Sequence, residues 1–135
     1  MKISTKGRYG LRAMIDIALN DTDGAMPLRE IAEKQGLSEK YLEHIMTLLH
    51  KAGLVRGVRG PRGGYRLNKP CGEITTGMVL RAVEGSIAPT LCAGEGCCEK
   101  GEECAAAFVW HALKSAIDGV VDNITLEDLR EKAKQ

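Results

Sequence analysis

The pattern of apolar and polar positions predicts the elements in order. Between Gly7 and Leu19, the apolar residues Leu11, Met14, Ile15, Ala18 and Leu19 recur at helical steps. Turn residues from Asn20 to Gly24 close this helix. Pro27 opens a second, short helix with Leu28, Ile31 and Ala32 on its apolar face, ending at Gly36. Ser38 is a good N-cap for a third, running from about Glu39 to Ala52, with Tyr41, Leu42, Ile45, Leu48 and Leu49 inward. Gly53 stops it. The period then changes. Leu54–Val58 and Tyr65–Leu67 alternate around the tip Arg59-Gly60-Pro61-Arg62-Gly63-Gly64, which predicts a β-hairpin. After a connector from Lys69 to Glu73, Thr75 or Thr76 caps a helix with Met78, Val79, Ala82 and Val83 inward and Gly85 at its end. Ile87 to Glu103 has no periodicity and reads as a loop. From Cys104 to about Asp122 a long amphipathic helix places Ala106, Val109, Trp110, Leu113, Ile117, Val120 and Val121 on one stripe. Thr125-Leu126-Glu127-Asp128 resembles a capping box and starts a last helix to about Lys132.

A short helix, a Gly-containing turn and a longer capped helix form a helix-turn-helix. The hairpin directly after it makes the arrangement a winged helix-turn-helix, in a mainly α chain. The expected organisation is one integrated domain. Residues 1–70 are the DNA-binding region, 71–103 a connecting helix and cysteine-rich loop, and 104–135 a dimerisation helix and terminal helix. In such a fold the second helix enters the major groove and the hairpin meets the backbone or a minor groove. The candidate DNA-facing residues are Ser38, Lys40, Tyr41, Glu43 and His44 on the helix and Arg56, Arg59, Arg62 and Tyr65 on the hairpin. The hairpin carries Arg56, Arg59, Arg62 and Arg66 and no acid, which a turn does not need for folding but a phosphate contact does. Lys40 can donate to guanine or phosphate. Glu43 can accept from cytosine; on pattern alone, a solvated helix charge is the first reading. The stripe on the long helix fits a homodimer seam or ordinary core packing. A two-fold dimer matches a pseudo-palindromic DNA site.

Charge supports the division. The chain of 135 residues has a formal net charge of +1. Yet residues 1–70 hold 13 Lys and Arg against 7 Asp and Glu, whereas residues 71–135 hold 6 against 11. The basic half suits a polyanion; the acidic half has another task. No apolar run has the length of a membrane span. The N-terminus lacks the apolar core of a secretion signal, so the expected location is cytoplasmic, with no membrane partner.

Cys92, Cys97, Cys98 and Cys104 fall within 13 residues; Cys71 stands apart. Without a secretion signal, such clustering points to metal or redox chemistry. Cys92-x5-Cys98-x5-Cys104 lacks the close pairs usual for zinc. Iron–sulfur centres tolerate wider spacing and a non-cysteine ligand. Free thiols, or a disulfide formed on oxidation, are the plain alternative.

These residues together resemble a known family, the bacterial winged-helix repressors typified by the iron–sulfur cluster assembly regulator. Nitric-oxide-sensing and cysteine-metabolism repressors are its relatives. The resemblance rests on Lys6-Gly7-Arg8-Tyr9-Gly10-Leu11-Arg12-Ala13, on Leu37-Ser38 with Tyr41-Leu42-Glu43, on Val58 to Tyr65, and on Asn123-Ile124-Thr125-Leu126. It implies a non-enzymatic, DNA-binding repressor controlled by an iron–sulfur cluster. It also implies that Glu43 reads bases and Arg59 enters a minor groove. The cluster ligands it implies are Cys92, Cys98 and Cys104. The family's histidine ligand falls on Ala107, and its aspartate ligand in the first helix on Arg8, so the fourth ligand is open among His111, Cys97, Glu102, Glu103 and an exogenous group. A 2Fe–2S cluster is the first expectation and 4Fe–4S the second. The rival readings are a metal-free thiol-redox or cysteine-metabolism repressor, and an electron-transfer or cluster-carrier protein.

Overall fold

The computed structural model describes residues 2–90, 93 and 104–135. Among the described residues there are six α-helices, five of which contribute to an aliphatic and methionine core, and a two-stranded hairpin projects from it. No described helix is long and apolar enough to cross a membrane.

Helix α1 (Thr5–Asn20) starts two residues before the apolar pattern does. Thr5 and Lys6 carry no apolar signal, and the start is fixed from far along the chain. The Glu84 carboxylate accepts from the backbone N–H of Ser4 (3.1 Å) and of Gly7 (2.9 Å), and from the Ser4 hydroxyl. A carboxylate there satisfies orphan amides and complements the helix dipole. Gly10 lets α1 approach α4 (Thr76–Glu84): a Cβ there would sit 3.3 Å from Val83.

Helix α2 (Leu28–Gln35) ends at Gly36, which takes the left-handed conformation (φ 66°) that turns the chain. Helix α3 (Glu39–Lys51) then starts with the Ser38 hydroxyl accepting from Tyr41 N–H at 3.1 Å. Leu42, Ile45, Met46 and Leu49 form its buried face, meeting Met14, Ile17 and Ile31. Strands β1 (Val55–Val58) and β2 (Gly64–Leu67) pair antiparallel, with Val55 opposite Leu67 and Gly57 opposite Tyr65.

Thr75 caps α4, its hydroxyl accepting from Met78 N–H at 3.1 Å. The cysteine-rich segment separates α4 from α5 (Ala107–Val121). The long helix therefore begins three residues later than its sequence pattern: Cys104 to Ala106 form a turn ahead of it. At 1.5 Å per residue, its 15 residues span about 22 Å. After it the chain folds back. Thr75 and Thr125 form a bridge, Leu126 N–H donates to Ile74 (2.8 Å), and Thr76 N–H to Ile124 (2.8 Å). Helix α6 (Leu126–Ala133) has a Thr125–Asp128 capping box and rests on α1, with Leu126 fully buried.

The long helix touches this body sparingly, and ion pairs supply much of the attachment. Arg81 on α4 donates to Asp118 (2.8 Å) and Asp122 (2.6 Å), and within α5 Lys114 donates to Asp118 (2.6 Å). The hydrogen bond from Lys114, and then that from Arg81, hold the Asp118 carboxyl below its ordinary range. The stabilisation is thus present above the ordinary carboxylate range and fades as pH falls through the depressed value. Asp118→Asn is expected to lower the thermal midpoint at pH 7. The gap from wild type should narrow on acidification in a calorimetric pH series; a pH-independent gap would contradict the assignment.

Candidate nucleic-acid interface and metal centre

Helix α3 presents Glu39, Lys40, Glu43, His44 and Thr47 to solvent, on the side opposite its buried stripe. Among the described residues, no hydrogen bond or ion pair engages the side chains of Lys40, Glu43 or His44. Three polar groups thus stand free on one helical face. Two of the other predicted residues are placed differently. Ser38 is exposed, but its hydroxyl is engaged in the cap. Tyr41 is half-buried and packs against the core, so it supports the face more than it extends it.

The wing stands beside this face. Tyr65 and its cross-strand partner Gly57 line a groove against Met46, Thr47 and His50 of α3. Burial, and then the Glu43 charge, raise the Tyr65 phenol's pKa, so it stays a protonated donor at neutral pH. Two residues absent from the sequence-based list fix the wing. Met26 and Tyr65 exchange two backbone hydrogen bonds of 2.9 Å, adding a single-residue third strand. Asp21 takes Arg66: its carbonyl accepts from Nη2 at 2.8 Å and its carboxylate lies 3.6 Å from Nε. Arg66 therefore braces the wing, which corrects the expectation that all four arginines lie along phosphate. Arg56, Arg59 and Arg62 are exposed, without hydrogen-bond or ion-pair partners among the described residues.

Of the expected metal ligands, Cys104 is described. Its thiol is free and half-buried, at the turn before α5. The helix has no side-chain cap at Ala106, so its positive end faces the turn that carries Cys104. His111 lies exposed on α5, Ala107 is buried, and Arg8 is exposed on α1. Cys92, Cys97, Cys98, Glu102 and Glu103 lie outside the described residues. Within those described, no three His, Cys, Asp or Glu side chains converge.

Comparison with known proteins decides the class. Residues 3–132 match the Rrf2 family, described as iron-dependent transcriptional regulators. The chain belongs to the Rrf2 family. It is 47% identical over 129 residues to the HTH-type transcriptional regulator IscR of Photobacterium profundum, across 96% of this chain and 75% of that one. CymR, the global cysteine regulator of B. subtilis, superposes with a TM-score of 0.85 at 41% identity, covering 98% of both chains. T. potens IscR superposes with a TM-score of 0.82 at 41% identity, covering 98% of this chain and 88% of that one. This Rrf2 protein is thus a DNA-binding transcriptional regulator with the winged-helix fold expected from its sequence. Backbone likeness to IscR and CymR is nearly equal.

The wing's geometry is testable at its glycines. Gly64 has φ 149°, and a Cβ on it would overlap the Met26 carbonyl; a Cβ on Gly57 would meet open space. Gly64→Ala should cost about 1–3 kcal/mol in urea denaturation. Gly57→Ala should stay within about 0.5 kcal/mol of wild type. Equal effects would show that the Met26 contact does not constrain the wing.

Proposed function

We propose that this Rrf2 protein is a homodimeric repressor whose binding to a pseudo-palindromic operator is set by an iron–sulfur cluster on Cys92, Cys98 and Cys104. The observation that carries the reading is the position of Cys104. The last thiol of the triad stands at the start of the helix that leaves its apolar face bare. Phe108 is 80% exposed, Val120 58%, and Val109 and Leu113 nearly half. Exposed Ala112, Ser115, Ala116 and Gly119 lie among them, and their small side chains let a second backbone come close. Monomeric proteins rarely leave such a stripe uncovered. A second copy's α5 is the natural cover, and it sets the spacing between two recognition helices.

The donor set fits the group. Three thiolates suit an iron–sulfur cluster, and Cys104 stands at the turn that leads into α5. Bound there, a cluster supplies a centre that responds to oxidant, nitric oxide or iron loss. The rest falls to the chain. Cys92 and Cys98 join Cys104 in fixing the segment that leads into α5. Arg81, Lys114, Asp118 and Asp122 fix the other side of that helix. Lys40, Glu43 and His44 meet base edges, Arg59 reaches a minor groove, and Arg56, Arg62 and Tyr65 bear on the backbone. Three cysteines leave one ligand to come from His111, Cys97, Glu102, Glu103 or an exogenous group. As the family resemblance implies, 2Fe–2S is the first expectation and 4Fe–4S the second. The activity is regulatory binding in the cytoplasm, with no catalysis and no membrane partner. The chain works as one integrated unit, with 1–70 for DNA, 71–103 for the cluster and 104–135 for dimerisation.

Likeness to CymR favours one rival, a metal-free regulator working through thiol chemistry or cysteine metabolism. Iron, acid-labile sulfide and zinc per chain, measured after purification without oxygen, separate the two. Iron and sulfide together, lost in Cys98→Ala, are expected; their absence even after reconstitution would favour the rival. The dimer seam has its own test. Val109→Glu combined with Leu113→Glu should give monomers in sedimentation and lower operator affinity at least about tenfold, since two half-sites then bind independently.

A further inference from the structure

The side of the wing turned away from α3 carries a second charged recess. Arg56 pairs directly opposite Arg66, so both side chains leave the hairpin on the face opposite Gly57 and Tyr65. Arg62, near the hairpin tip, also borders the recess. Asp23, Pro27 and Val58 are among its other walls. Like charges directly across a strand pair oppose hairpin formation, and Asp21 offsets only one of the two. Arg56 and Arg62 are exposed, with no partner among the described residues, and so is Asp23. The recess therefore offers two free guanidinium forks, with a single acid at its lip. Such forks match the oxygens of a phosphate.

We propose that this recess seats a phosphate of the DNA backbone, separate from the contacts of α3 and of Arg59, and that Asp23 moderates its grip. The inference rests on the DNA-binding reading, in which Arg56 and Arg62 bear on the backbone, and gives these two arginines one defined seat on the far side of the wing. A phosphate there belongs to the backbone beyond the groove that Arg59 enters, so the wing straddles its strand.

The test uses the full-length dimer and a duplex selected by the protein from a random-sequence pool. R56A/R62A is expected to keep the wild-type thermal midpoint and base preference. It should reduce the slope of log affinity against log salt by about two units. Asp23→Asn is expected to raise affinity about two- to fivefold without changing base preference. Neutral methylphosphonate linkages, scanned along the duplex, should reveal a phosphate whose loss weakens wild type and R59A but not R56A/R62A. An unchanged salt slope, a weaker D23N, or a linkage pattern shared by R59A and R56A/R62A would each overturn the seat. Stabilisation by inorganic pyrophosphate, with the DNA slope unaltered, would assign the recess to a free anion and also overturn it. Failure to select any duplex would overturn the DNA-binding reading together with the seat, whereas normal selection with an unaltered slope removes the seat alone.

Discussion

Two backbone hydrogen bonds between Met26 and Tyr65 hold the geometry on which the DNA-facing surface depends. A hairpin of two four-residue strands is marginal by itself in water. Joining Met26 to it ties the wing to the segment that enters α2. Gly64 permits that contact because it has no Cβ, and Arg66 braces the other end through Asp21. The wing thereby keeps a fixed angle to α3. Tyr65 fills the space between them, close enough for the Glu43 charge to act on its phenol. Interactions chosen for folding thus settle where Arg56, Arg59 and Arg62 stand, and none of those three is needed for the fold.

The charge asymmetry takes on a structural meaning in this arrangement. In the basic half, three wing arginines and Lys40 remain free. In the acidic half, carboxylates are engaged within the molecule. Glu84 closes the start of α1, while Asp118 and Asp122 hold Arg81 and Lys114. The bare face of α5 lies on the same half, away from the wing. Under the proposed function, one half of the chain is thus prepared for a polyanion and the other for its own copy.

Local signals made much of this legible. Helical spacing, Ser38, Gly36, Thr75 and the Thr125–Asp128 box identify their elements because each acts within a few residues. The contacts that sequence reasoning missed are non-local. Met26 is one residue long as a strand and has no period to detect. Glu84 caps a helix 77 residues before it. Arg66 looks like its three neighbours until Asp21 is seen beside it. The start of α5 was read too early because Ala105 and Ala106 favour a helix as much as Ala107 does. The cysteine triad was visible as a donor set, since ligand type is a property of sequence. Its fourth partner was not, because Ala107 and Arg8 occupy the positions where the resemblance puts a ligand, and a replacement is a matter of geometry.

Magnitudes indicate how a signal at Cys104 reaches DNA under the proposed function. Helix α4 is the shared element: it packs on α1 and α3 through buried Val79 and Val83, and it holds α5 through Arg81. The first attachment is apolar and closely packed, so deforming it costs several kcal/mol for each side chain disturbed. The second is largely ionic and solvent-facing, and each such pair is worth about 1 kcal/mol or less. A displacement at the start of α5 therefore yields at the α4–α5 junction before it distorts the winged helix. Each DNA-binding half keeps its shape. What changes is the angle at which α5 leaves it, and in a dimer joined along α5 that angle sets the distance between the two recognition helices. Operator spacing, more than the form of either reading head, is then the quantity that the cluster controls.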